Sequence, residues 1–146
     1  MDMLIDTETL ERELGNESLR VLDATLHFAA RGEIRSGRAD WEEEHIPGSR
    51  FVDLLEELSL RESELPFTRP STEQLDRVLG EVGIALDSKV VVYSRGPESS
   101  MWATRLWWLL RSAGVANVAL LDGSFAKWKA EGRPTSTESC PSLIHI

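Results

Sequence analysis

The segment that most restricts this chain is Lys89-Val90-Val91-Val92-Tyr93. Its β-branched run does not alternate with polar residues, so neither face of the strand it predicts is built to meet water. A strand buried on both faces belongs inside a largely parallel sheet with helices above and below. The surrounding pattern agrees. Leu4-Ile5, Leu19–Thr25, Ser49–Asp53 (with Phe51 inward) and Val118–Leu121 also read as strands. Helices are expected over Thr7–Leu14, ending at Gly15, and over Asp40–Glu44, stopped by Pro47-Gly48. A third starts at a capping box, with Ser71 as N-cap and Gln74 reaching back, and closes at Gly83. Two more span Ser100–Ala113 and Gly123–Glu131, each followed by glycine. The fold class is α/β: an open parallel sheet of about five strands with helices on both faces. Residues 54–70, with Pro66 and Pro70, read as a long loop.

A length of 146 residues suits one domain. We expect it to occupy residues 1–134, with the Ser-, Thr- and Pro-rich residues 135–146 as a tail or truncated interdomain linker. The net charge is −9, and it is uneven: residues 1–65 carry 7 basic and 17 acidic side chains. Such a surface repels phosphate, which argues against nucleic acid as a partner. No apolar run nears the ~20 residues of a membrane helix, and the N-terminus lacks the pattern of a signal peptide, so a cytoplasmic location is expected. Cys140 is the only cysteine, which leaves no internal disulfide and no cysteine zinc cluster. His27, His45 and His145 show no ligand spacing, so neither metal nor cofactor is expected.

In an open parallel sheet, ligands bind beyond the carboxyl ends of the strands. There the loop Ser94-Arg95-Gly96-Pro97-Glu98-Ser99-Ser100 leads from the central strand into a helix N-terminus, where free amides and the helix dipole favour an anion. Ser94, Arg95, Gly96, Ser99 and Ser100 are the candidate anion residues, and Glu98 opposes them. The plainer reading is a strand-to-helix connection built of ordinary turn residues, and both stay open at this point. On the helix that follows, at about 100° per residue, Leu106, Leu109 and Ala113 cluster with Trp102 as the inward stripe. Met101, Arg105 and Trp108 share the opposite face, and they are residue types enriched at interfaces. A neighbouring element covering them is the competing expectation.

Four segments occur in order: Leu22-Asp23-Ala24-Thr25, His45-Ile46-Pro47-Gly48-Ser49-Arg50, Val90-Val91-Val92-Tyr93 and Leu121-Asp122-Gly123-Ser124-Phe125-Ala126-Lys127-Trp128. Together they resemble the rhodanese family of sulfurtransferases. Trp102 through Arg111, with Glu131-Gly132-Arg133-Pro134, resembles the first, non-catalytic domain of tandem thiosulfate or 3-mercaptopyruvate sulfurtransferases. Ser124 stands where the family often has a second glycine. The resemblance implies catalysis by a cysteine directly after the central strand, which carries sulfane sulfur as a persulfide. Here that position is Ser94, and an alcohol cannot form a persulfide. The expected role is therefore a scaffold for a catalytic rhodanese domain, in the same chain or a separate one, or self-association. Two alternatives are a stand-alone module binding a small sulfur anion or metabolite on the loop 94–100, and an active sulfurtransferase using Cys140. By default His45 and Asp23 are structural, and Glu42-Glu43-Glu44 is a solvated helix face.

Overall fold

The computed structural model describes residues 4–16, 18–28, 34–52, 72–85, 87–96 and 100–137. Five strands make one parallel sheet: β1 (Leu4–Ile5), β2 (Leu19–Asp23), β5 (Arg50–Phe51), β6 (Lys89–Tyr93) and β7 (Val118–Leu121). They lie in the order β1-β7-β6-β2-β5. The unbroken valine run is the central strand, β6. Leu19–Asp23 pairs with it residue for residue from Lys89 to Tyr93 on one side, and Val118–Leu120 pairs with Val90–Val92 on the other.

Successive side chains of a strand alternate between faces, so β6 divides its residues between two cores. Val90 and Val92 pack among α3 (Thr72–Glu81) and α4 (Ser100–Ser112), beside Leu75, Val78, Leu106 and Leu109. Val91 and Tyr93 pack against α1 (Thr7–Glu13) and α5 (Ser124–Ala130), through Leu10, Phe125 and Trp128. Val90, Val91 and Val92 are wholly buried, each contributing roughly 1.5–3 kcal/mol by leaving water. This is the expected α/β sheet with helices on both faces.

Local signals set most element ends. Asp6 caps α1 by accepting the Thr9 amide at 2.7 Å. Gly114 stops α4 with φ 100°, a left-handed conformation that glycine takes without strain. The helix expected over Asp40–Glu44 begins earlier, as α2 (Arg38–Glu43). The strand expected over Ser49–Asp53 is shorter, with Phe51 buried as anticipated. Residues 26–39 carry no pattern that predicts an element, yet the chain forms an antiparallel pair there, β3 (Leu26–Phe28) and β4 (Ile34–Ser36). It closes at Gly37, where a Cβ would lie only 2.7 Å from the Thr25 carbonyl oxygen. The loop expected over 54–70 and the Ser71 cap lie outside the described residues. Among the described residues no helix is long and apolar enough to cross a membrane.

Candidate functional site

Strands β2 and β6 finish side by side, with Asp23 in register with Tyr93. Ser94 follows directly and is 2% exposed; its hydroxyl donates to the Gly96 carbonyl at 3.2 Å. The loop is tied to the start of α5: the Ser94 carbonyl accepts the Phe125 amide at 2.9 Å, and the Arg95 carbonyl accepts the Ala126 amide at 3.0 Å. The Arg95 amide donates to Thr25 Oγ1 at 2.9 Å. Its guanidinium donates to the Glu44 carbonyl at 2.7 Å, lies 3.6 Å from Asp23 Oδ2, and stacks over the Phe125 ring at 4.1 Å.

The reason for this inward arginine is Asp23. The carboxyl is fully buried, and Oδ1 accepts from the Thr25 amide at 2.9 Å and the Thr25 hydroxyl at 2.6 Å. Burial pushes the Asp23 carboxyl above its ordinary value, while the Thr25 hydrogen bonds and the Arg95 charge pull it down. A buried carboxylate without a counter-charge is costly, so the nearest cation is held beside it. An anion entering the loop would have to compete with Asp23 for Arg95.

The neighbouring buried groups form a second connected set. The Tyr93 hydroxyl bonds to Ser49 Oγ at 2.9 Å and accepts the Ile46 amide at 3.4 Å; burial raises its pKa. Ser49 Oγ also accepts the Trp41 indole N–H at 3.1 Å. His45 stacks on Trp41 with ring centroids 4.3 Å apart, and its Nδ1 bonds to the Trp41 carbonyl. Asp23 and His45, expected to be structural, are both wholly buried, and among the described residues Asp23 Oδ2 and His45 Nε2 have no hydrogen-bond partner. Glu44 departs from the expected solvated face. Its carboxylate holds Lys129 Nζ at 2.6 Å and accepts the Thr135 hydroxyl at 2.9 Å, and these bonds lower its pKa. The residues after Pro134, expected to begin a tail, are anchored at Ser136 by paired backbone bonds to His45.

Ser94, Arg95 and Gly96 thus lie together, with Gly96 buried and Ser100 exposed at the start of α4. Ser99 and Cys140 lie outside the described residues. A pocket of about 190 Å³ borders the loop, touching Ser94, Ser100, Thr104, Asp122 and Ser124, and among the described residues that line it none is a lysine or arginine. On the outer face of α4, Met101 is 53% and Trp108 45% exposed, and the Arg105 guanidinium lies 5.2 Å over the Trp108 ring. Of the expected inward stripe, Trp102, Leu106 and Leu109 are buried and Ala113 is half-buried. The roles of Thr25, Glu44 and Phe125 as partners of Arg95 carry no local signal, because the first two contacts span 70 and 51 residues of chain. Among the described residues no group of three or more His, Cys, Asp or Glu is placed to hold a metal ion.

Comparison with known proteins places this geometry. The model of the rhodanese-like domain matches residues 6–131. Thiosulfate sulfurtransferase of Rattus norvegicus is 36% identical over 123 residues, 83% of this chain and 39% of the relative. The 3-mercaptopyruvate sulfurtransferase of Homo sapiens is 32% identical over 130 residues, 89% of this chain and 43% of the relative. The crystal structure of SseA, a 3-mercaptopyruvate sulfotransferase of Escherichia coli, superposes with a TM-score of 0.86 at 27% identity, covering 98% of this chain and 53% of that one. The chain therefore spans about half or less of the length of these relatives. With a family match along most of its length and the same parallel sheet, the chain belongs to the rhodanese-like domain family.

Proposed function

We propose that this chain acts as a non-catalytic rhodanese domain, equivalent to the N-terminal half of a tandem sulfurtransferase, and supports a cysteine-bearing catalytic domain. The observation that carries this reading is Ser94. It occupies the position directly after the central strand, is 2% exposed, and already donates its proton to the Gly96 carbonyl. A hydroxyl so placed lacks the thiolate chemistry that persulfide transfer needs, and among the described residues its hydrogen bond goes to a carbonyl and not to a base that could activate it. The relatives' names supply the donors to try, thiosulfate and 3-mercaptopyruvate.

The docking face is the outer side of α4, where Met101 and Trp108 present apolar area and Arg105 stacks on the indole. Binding of an anion on the loop 94–100 is the weaker reading, since Arg95 is engaged with Asp23 and Glu44. Thiocyanate formation from cyanide with either donor tests the proposal. The isolated chain is expected to show no rate above the protein-free blank, and Ser94→Cys to remain inactive because its thiol is buried. Binding to a catalytic rhodanese domain, followed by titration calorimetry, is expected to weaken about tenfold in Trp108→Ala, as for an interfacial aromatic anchor. A clear rate from the unaltered chain, lost in Cys140→Ser, would overturn the scaffold role.

A further inference from the structure

The segment that leaves α5 does not trail away. Arg133 bridges Glu11 at 3.1 Å and Glu131 at 3.0 Å; the Pro134 carbonyl accepts the Trp128 indole N–H at 2.7 Å. Thr135 donates to the Glu44 carboxylate at 2.9 Å, and Ser136 exchanges two main-chain bonds with His45, at 2.9 and 2.8 Å. Four consecutive residues are each fastened to the body. The strap itself lies at the surface, with Pro134 and Thr135 exposed, whereas the His45 and Trp128 side chains beneath it are wholly buried. A short surface segment of this kind opens at a lower free energy than the sheet that carries it.

Both sides of the site meet at one dipeptide. The Glu44 carbonyl holds the Arg95 guanidinium, the Glu44 carboxylate holds Lys129 and Thr135, and the next residue, His45, holds Ser136. Movement of Glu44-His45 on one side therefore changes bond lengths on the other, because the Arg95 contact and the Ser136 pairing are both made to the main chain of these two residues. We infer that Arg133–Ser136 is a latch, and that Glu44-His45 couples it to the loop Ser94–Gly96. Drawing Arg95 away from the Glu44 carbonyl loosens the latch, and lifting the latch frees Arg95 by the same factor, because such coupling is reciprocal. A partner that engages the loop is thereby registered at Arg133–Ser136.

Hydrogen exchange followed by NMR on the full chain tests this from both ends. Arg95→Lys keeps a cation beside Asp23, so the fold is retained, but an ammonium lacks the guanidinium's fork that serves Asp23 and Glu44 together. It is expected to speed exchange of the Trp128 indole N–H and the Ser136 amide about fivefold, with the Val91 amide unchanged. From the other end, Ser136→Pro removes one latch donor and is expected to speed exchange of the Trp128 indole about tenfold and of the Arg95 and Ala126 amides about threefold. Thr137→Pro, one residue beyond the paired position, is the control and is expected to change none of them. Unchanged Trp128 exchange in Ser136→Pro would show that the strap is not a cooperative latch. Faster Trp128 exchange with unchanged Arg95 and Ala126 amides would show a latch uncoupled from the loop. Either result overturns the inference.

Discussion

Arg95 and Arg105 flank the start of α4, and each guanidinium stacks on an aromatic ring, at 4.1 Å on Phe125 and 5.2 Å on Trp108. Their surroundings differ. The Arg95 side chain is 17% exposed and faces a carboxylate with no exposure at all. Trp108, under Arg105, is 45% exposed. The same stacking motif is thus part of a buried ion pair in one place and part of a wet surface in the other. What separates them is desolvation: the Asp23 carboxylate is wholly buried, so Arg95 has a fixed task as its counter-charge, while the Trp108 ring under Arg105 keeps nearly half its surface exposed.

The comparison is broken most directly by Arg95→Met. Removing one member of a buried pair leaves Asp23 uncompensated and is expected to cost about 3–5 kcal/mol of unfolding free energy in urea titrations. A loss below about 1 kcal/mol would place Arg95 in the same class as Arg105. Next to Phe125, Ser124 holds φ 63°, and its Oγ is buried with no hydrogen-bond partner among the described residues. Relief of both costs predicts that Ser124→Gly raises stability by about 1–2 kcal/mol, read from the same titrations. A destabilised variant would show that the serine makes a contact worth more than its strain.

Acid titration sharpens the contrast further. Because burial raises the Asp23 pKa on folding, its contribution favours the fold below the unfolded value of about 3.9 and is lost as pH rises through the folded value. Asp6, Glu44 and Glu131 have lowered pKa values and act with the opposite sign, losing stability as pH falls. Asp23→Asn leaves those three in place. The stability of Asp23→Asn relative to the unaltered chain is therefore expected to increase from about pH 4 upward and then level off. A flat difference from acid to neutral pH would contradict burial as the dominant influence on Asp23. The smallest effect belongs to the surface pair: Arg105→Ala is expected to change stability by no more than about 0.5 kcal/mol while weakening docking of a catalytic domain.

Legibility followed the range of the interactions. The run Lys89–Tyr93 announced a central strand because burial on both faces removes the alternation that a half-exposed strand shows. The two faces of α4 were readable from spacing alone, since a helix repeats its environment every few residues. The antiparallel pair Leu26–Phe28 and Ile34–Ser36 was not, because three-residue strands are too short to carry a period. Nor was the anchoring of Ser136, whose backbone partner His45 lies far back along the chain. Glu44 looked like one of three solvated acids until the fold brought Lys129 and Thr135 to it.

The order of residues was enough to point to the α/β layering, to the family, and to a serine directly after the central strand, because each is written in local pattern or in the identity of a single side chain. Where Arg95 points, why Glu44 is engaged, and how the residues after Pro134 are held were decided only by the tertiary structure. Those outcomes depend on which groups lose water together, and desolvation is a property of the folded neighbourhood.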